Sequence, residues 1–284
     1  MTDKILYSPE EVKNLISKGN TVVVDIRDEE DYKKNHISEA VSIPDIFFFL
    51  AETTDEGLKE FQEKFQALFS AAGITSDKTV IIYEGAFDER YGASCRGYWF
   101  LTYLGHPDTG ILDGGYLAWA EAGFAVDDKI PIPEPSNFEL NIHPEILATK
   151  DEVLSSLSNP SIKLLDNRDR VEWTGESSSP YGVDFTPRKG RLPGARWIEW
   201  YNFMEREEGL PYFKSPEKVR AMCAEYGLYP DDDIIIYCFK GARVSNSFVA
   251  MKLAGFKHLR NYLGSWNEWS RDNSLPINDE VLPA

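Results

Sequence analysis

The chain has 284 residues, 42% of them apolar and 13% aromatic, which suits about two packed domains and excludes disorder, collagen-like repeats and a disulfide-stapled miniprotein. Thirty Lys and Arg stand against 47 Asp and Glu, a formal charge of −17 whose field repels nucleic acid and anionic membrane. Cys95, Cys223 and Cys238 form neither a disulfide framework nor a zinc-ligand spacing.

Taken in chain order, the elements come twice. Ser8-Pro9-Glu10-Glu11 has a helix N-cap, a proline at the first helical position and a capping-box glutamate. A strand over 21–26 follows and ends in Asp25-Ile26-Arg27. The run 46–51 is the strongest apolar stretch and is far too short to span a membrane; Phe47, Phe48 and Phe49 within it read as packing. Residues 80–83 form an unbroken β-branched run, as a strand buried on both faces should. It leads into a helix that stops at Tyr103-Leu104-Gly105, and Leu112-Asp113-Gly114-Gly115-Tyr116 opens the last element of the half.

Residues 127–143, with Pro131, Pro133 and Pro135 and with Pro144 just beyond, predict an extended, semi-rigid linker. The sequence then repeats itself. Thr149-Lys150-Asp151-Glu152 is a second capping box, and the strand over 162–165 leads into Asp166-Asn167-Arg168. Residues 234–237 match 80–83, Leu253-Ala254-Gly255 matches the first helix stop, and Tyr262-Leu263-Gly264-Ser265-Trp266 matches the last element. Equivalent positions drift from 141 residues apart (Asp25 to Asp166) to 154 (Tyr83 to Tyr237), so an insertion is expected near 173–187. Strands alternating with helices predict two α/β domains, each a mainly parallel sheet with helices on both faces. Their expected extents are 1–126 and 144–284.

The copies differ just after the matched strand. The first half continues Tyr83-Glu84-Gly85; the second continues Tyr237-Cys238-Phe239-Lys240-Gly241-Ala242-Arg243. In an open α/β sheet this position is where ligands bind. A helix starting near Ala242 would aim its free N–H groups at the Cys238 sulfur, and Lys240 and Arg243 add two cations, all favouring thiolate over thiol. Gly241 supplies the backbone freedom for a curled loop. No Asp or Glu occurs over residues 234–267. Cys95 and Cys223 lack such neighbours and read as packing residues.

These residues resemble the tandem-domain rhodaneses, the thiosulfate and 3-mercaptopyruvate sulfurtransferases, over nearly the whole chain. The likeness rests on Asp-x-Arg after a strand in both halves, Tyr32-x-x-x-His36-Ile37, Arg191-Leu192-Pro193-Gly194-Ala195 and the two Gly-Gly-Tyr and Gly-Ser-Trp endings. It implies that Cys238 accepts sulfur, that Phe239, Lys240, Gly241, Ala242 and Arg243 complete the active-site loop, and that the first domain is catalytically silent. It further implies that Asp166 braces the loop and Arg168 helps to bind an anion, with Lys240 favouring thiosulfate. Four departures stand out: Ser38-Glu39 for Pro-Gly, Arg191 for His, Leu263 for Asp, and Glu172 where several members carry a second substrate-binding Arg. The implied partners are a small anionic sulfur donor and a thiol or cyanide acceptor, with no cofactor, nucleic acid or membrane. No leader is evident at the N-terminus, and the odd number of cysteines fits a reducing, cytoplasmic setting. Three rivals share the chemistry or the fold: a 3-mercaptopyruvate enzyme, a thiolate phosphatase or arsenate reductase, and a non-catalytic sulfur-carrier or docking module.

Overall fold

A computed structural model describes residues 4–282. The chain divides into two compact units. The first comprises residues up to Phe49, Lys59–His143 and Arg206–Tyr212; the second comprises Leu50–Leu58, Pro144–Glu205 and residues from Phe213 on. Each unit therefore contains a short segment from the opposite half of the sequence.

The first unit is built on five parallel strands: β1 (Leu6–Tyr7), β2 (Thr21–Asp25), β3 (Val41–Ser42), β4 (Thr79–Tyr83) and β5 (Thr109–Leu112). Their order across the sheet is β1-β5-β4-β2-β3. Helix α1 (Pro9–Ser17) starts with the expected capping box between Ser8 and Glu11. One face of the sheet packs Tyr7, Val12, Val23, Ile37, Ile81, Tyr83 and Trp119 into a core. Elsewhere in the unit, Phe61, Phe65 and Phe69 repeat every four residues along α2 (Asp55–Ala71), so they share one helix face and are all buried. Phe61 and Phe65 meet Phe100 of α3 (Ala93–Tyr103) at ring-centroid distances of 4.7 and 4.6 Å. Helix α4 (Gly115–Glu121) follows β5. The proline-rich stretch lies along this unit, where Ser136 donates its N–H to the Ser70 carbonyl, Phe138 is buried, and Asn141 and His143 bond to the end of α3.

The second unit repeats the plan with β6 (Leu147–Ala148), β7 (Ile162–Asp166), β8 (Arg196–Trp197), β9 (Asp233–Tyr237) and β10 (His258–Tyr262). The order β6-β10-β9-β7-β8 is the first sheet's order with each strand replaced by its sequence equivalent. Register repeats as well: Asp25 pairs with Tyr83, and Asp166 with Tyr237. Each tyrosine hydroxyl also accepts a backbone N–H from the same place in its own copy, from Ile37 at 3.2 Å and from Leu192 at 3.1 Å. The helices are α5 (Lys150–Ser156), α6 (Arg170–Trp173), α7 (Pro216–Glu225), α8 (Ala242–Leu253) and α9 (Ser265–Trp269). Residues 174–190 carry no helix or strand and account for the insertion expected from the drift. Among the described residues no helix is long and apolar enough to cross a membrane.

Candidate active site

Strand β9 is buried at every position from Ile234 to Tyr237, and Cys238 follows at its carboxyl end. The chain turns at Gly241, whose φ of +80° and ψ of 0° are left-handed, and α8 begins at Ala242. This turn brings the Gly241 N–H to 3.2 Å from Cys238 Sγ, so the sulfur is a hydrogen-bond acceptor at the N-terminus of a helix of twelve residues. Cys238, Phe239, Lys240, Gly241, Ala242 and Arg243 thus form one small buried loop, with Cys238 only 1% exposed. Behind it, Trp266 and Asn267 donate their N–H groups to the Cys238 and Phe239 carbonyls at 3.0 and 2.9 Å. The Gly241 carbonyl accepts the Ser245 hydroxyl at 2.8 Å.

The two loop cations are not equivalent. Arg243 donates to both carboxylate oxygens of Glu172, at 2.5 and 3.0 Å, and lies 2.8 Å from Asp169 Oδ1. Burial is the largest single influence and would lower the Arg243 pKa, but Glu172, together with smaller contributions from Cys238 and Asp169, holds the guanidinium well above its ordinary range. A buried cation bound by one buried and one part-buried carboxylate adds little net positive charge to the loop. Lys240, 5% exposed, is the other cation there.

Asp166 and Arg168 lie at the end of the neighbouring strand β7, fully buried. Arg168 donates from Nε and Nη2 to the Asp166 carboxylate at 2.7 to 3.1 Å, and from Nη2 to the Gly190 carbonyl at 2.8 Å. Its guanidinium also stands 4.5 Å from the Trp266 ring centroid. The first copy builds the same pair from Asp25 and Arg27, without a cysteine nearby in the matching loop.

In the sequence Glu172 stands out only as a departure, and Asp169 does not stand out at all. The two form a capping box at the start of α6, and the same two carboxylates also bind Arg243. The insertion contributes as well: Tyr181 and Phe185 pack on Phe239 at centroid distances of 5.1 and 5.9 Å.

In the first copy the loop from Glu84 to the left-handed Gly92 is longer, and α3 begins at Ala93. Glu84 occupies the helix N-terminus with its own carboxyl group, which accepts the Ser94 N–H and hydroxyl, both at 2.6 Å. Burial pushes this carboxyl up to about 8, against the pull of the Ser94 donors. The other thiols are enclosed in helices: Cys95 is buried in α3, and burial pushes the Cys223 thiol in α7 up to about 12. Among the described residues no group of three His, Cys, Asp or Glu side chains could hold a metal ion.

Comparison with known proteins agrees with the duplication. The family described as "Rhodanese-like domain" matches residues 8–122 and again 149–272. The chain is 30% identical to the sulfur carrier protein TtuD of Thermus thermophilus over 96% of both chains. It is 30% identical to a putative thiosulfate sulfurtransferase of Haloferax volcanii, over 90% of this chain and 87% of that one, and 24% identical to the thiosulfate sulfurtransferase of Azotobacter vinelandii over 96% of both. The wild-type structure of EanB superposes with a TM-score of 0.83 at 23% identity, covering 99% of this chain and 70% of that one, which shows a shared fold. The chain belongs to the rhodanese family and carries two tandem rhodanese-like domains.

Proposed function

We propose that this protein is a sulfurtransferase that moves a sulfane sulfur from thiosulfate to cyanide or a thiol through a persulfide on Cys238. The observation that carries this reading is the Gly241 N–H directed at Cys238 Sγ, at a helix N-terminus with a buried lysine in the same turn. Relatives named thiosulfate sulfurtransferase, at 24 to 30% identity, support the reaction class.

In the first half-reaction the Cys238 thiolate attacks the outer sulfur of thiosulfate. A new S–S bond forms to Cys238, the old one breaks, and sulfite leaves with its electron pair. The loop amides and Lys240 stabilise the negative charge passing through the loop. In the second half-reaction cyanide, or an acceptor thiolate, attacks the outer persulfide sulfur, and Cys238 departs as thiolate. No net oxidation occurs and no cofactor takes part. We assign Phe239, Gly241 and Ala242 to the cradle, Asp166 to the floor that braces it, and Arg168, whose Nη1 has no hydrogen-bond partner among the described residues, to help bind the donor anion. The first domain, its loop filled by Glu84, serves as a structural partner. The expected extents of the two domains, 1–126 and 144–284, with 127–143 between them, and a cytoplasmic setting belong to the same reading.

One observation favours a second donor. Because Arg243 is bound by Glu172 and Asp169, the loop offers less net charge to a dianion than its two cations suggest, which suits a monoanionic donor such as 3-mercaptopyruvate. Initial rates of thiocyanate formation with each donor at equal concentration separate the two. Faster turnover with thiosulfate supports the first reading, faster turnover with 3-mercaptopyruvate the second, and none with either, together with hydrolysis of an aryl phosphate that requires Cys238, would replace both with a phosphatase.

A further inference from the structure

The two copies place a tight turn at the same point, against the loop that follows β4 or β9, and they fill it differently. In the first copy the turn residue is Gly115, with φ of +66°; in the second it is Ser265, with φ of +51°. A left-handed backbone favours glycine, and a residue with a side chain is strained there by about 1–2 kcal/mol. The first copy has no room for a side chain either, since a Cβ on Gly115 would stand 2.7 Å from the Glu84 and Gly85 carbonyl oxygens. The second copy accepts the strain and leaves Ser265 fully buried.

Most of the bonding is common to both turns. Tyr116 and Leu117 donate N–H groups to the Glu84 and Gly85 carbonyls at 2.8 and 3.0 Å, as Trp266 and Asn267 do to Cys238 and Phe239. The hydroxyl makes the difference. Ser265 Oγ donates to the Tyr262 carbonyl at 2.6 Å, which fixes its direction, and it accepts the Cys238 N–H at 3.2 Å. Cys238 is thereby held through both its N–H and its carbonyl from one side, while its sulfur receives the Gly241 N–H from the other. The far end of α9 is tied down as well, by Thr53, whose N–H and hydroxyl donate to the Glu268 carboxylate at 2.6 and 2.7 Å.

We propose that Ser265 is a positioning residue: its hydroxyl fixes the Cys238 backbone so that the sulfur stays aligned with the helix N-terminus. The proposal rests on reading Cys238 as the nucleophile, so its test is chosen to be independent of any sulfur donor. Ser265→Gly removes the hydroxyl and the strain together; Ser265→Ala removes the hydroxyl and keeps the strain. The alkylation rate of Cys238 by iodoacetamide, followed by peptide mass, is measured alongside the Tm of each variant. Both variants are expected to alkylate about tenfold more slowly than wild type, the factor a single neutral hydrogen bond carries, although the glycine variant melts at or above the alanine variant. A merely structural serine would make reactivity follow the Tm order. That result, or rates for both variants close to wild type, overturns the proposal. Incubation of the wild type with thiosulfate, read by the same mass analysis, tests the sulfurtransferase reading separately: failure to gain sulfur there sinks that reading and leaves the alkylation comparison to decide the role of Ser265.

Discussion

Glu84 makes stability depend on pH in a way that a single substitution should erase. Its carboxyl is fully buried, and burial raises it from 4.5 to about 8 in the folded protein. A carboxyl raised on folding binds its proton more tightly in the native state than in the unfolded one. Its contribution to stability is therefore fully present below pH 4.5 and is lost as pH rises towards 8. At about 1.4 kcal/mol for each pH unit between those values, the upper bound is about 5 kcal/mol. For a chain of this size that corresponds to a Tm change on the order of 10 °C. Glu84→Gln keeps the shape of the protonated side chain and cannot ionise. Melting curves of wild type and variant at intervals from pH 5 to 8.5 should be closest at pH 5, diverge steadily up to about pH 8 and run parallel beyond it, with the variant the more stable. Asp113, which burial raises to about 6, tilts both curves alike and so cancels in the comparison. Parallel curves across the whole range would show that the Glu84 carboxylate is not destabilised by burial and would refute the reasoning.

Two further substitutions test the catalytic loop. Glu172→Gln leaves Arg243 buried with only the part-buried Asp169 as a full counter-charge, so a stability loss of about 3 kcal/mol is expected in chemical denaturation, the lower end of the range for breaking a buried pair; an unchanged midpoint would mean that the pair adds nothing to stability. Lys240→Glu turns the loop's second cation into an anion, and kcat/KM with thiosulfate should fall by about 100-fold or more. Efficiency close to wild type would show that the stabilising field does not come from this side chain.

Much of this was legible in the sequence, because the signals are local or repeated. Capping boxes at Ser8 and Thr149, unbroken β-branched strands and the two glycine stops recur in register, and each repeat supports the reading of the other. Cys238 stood out because its loop could be compared with the loop at Glu84. The remainder depends on contacts that sequence spacing does not encode. Arg243 meets Glu172 across 71 positions, a separation at which no local pattern in the sequence pairs them. The assignment of Leu50–Leu58 to the second unit and Arg206–Tyr212 to the first leaves no compositional trace. Arg168 was legible in its motif, but which of its donors are engaged was not: Nε and Nη2 bond to Asp166 and the Gly190 carbonyl, while the buried Nη1 has no hydrogen-bond partner among the described residues. Ser265 was legible as a letter in a motif, and its left-handed backbone was not.

The central claim is that sulfur resides on Cys238 between two half-reactions. Intact-mass and peptide-mass analysis of the protein after thiosulfate, and again after cyanide, tests it most directly. The account expects one added sulfur atom on the Cys238 peptide, its removal by cyanide with release of thiocyanate, and no gain in Cys238→Ser. Sulfur on Cys95 or Cys223, or turnover that persists in Cys238→Ser, would contradict it.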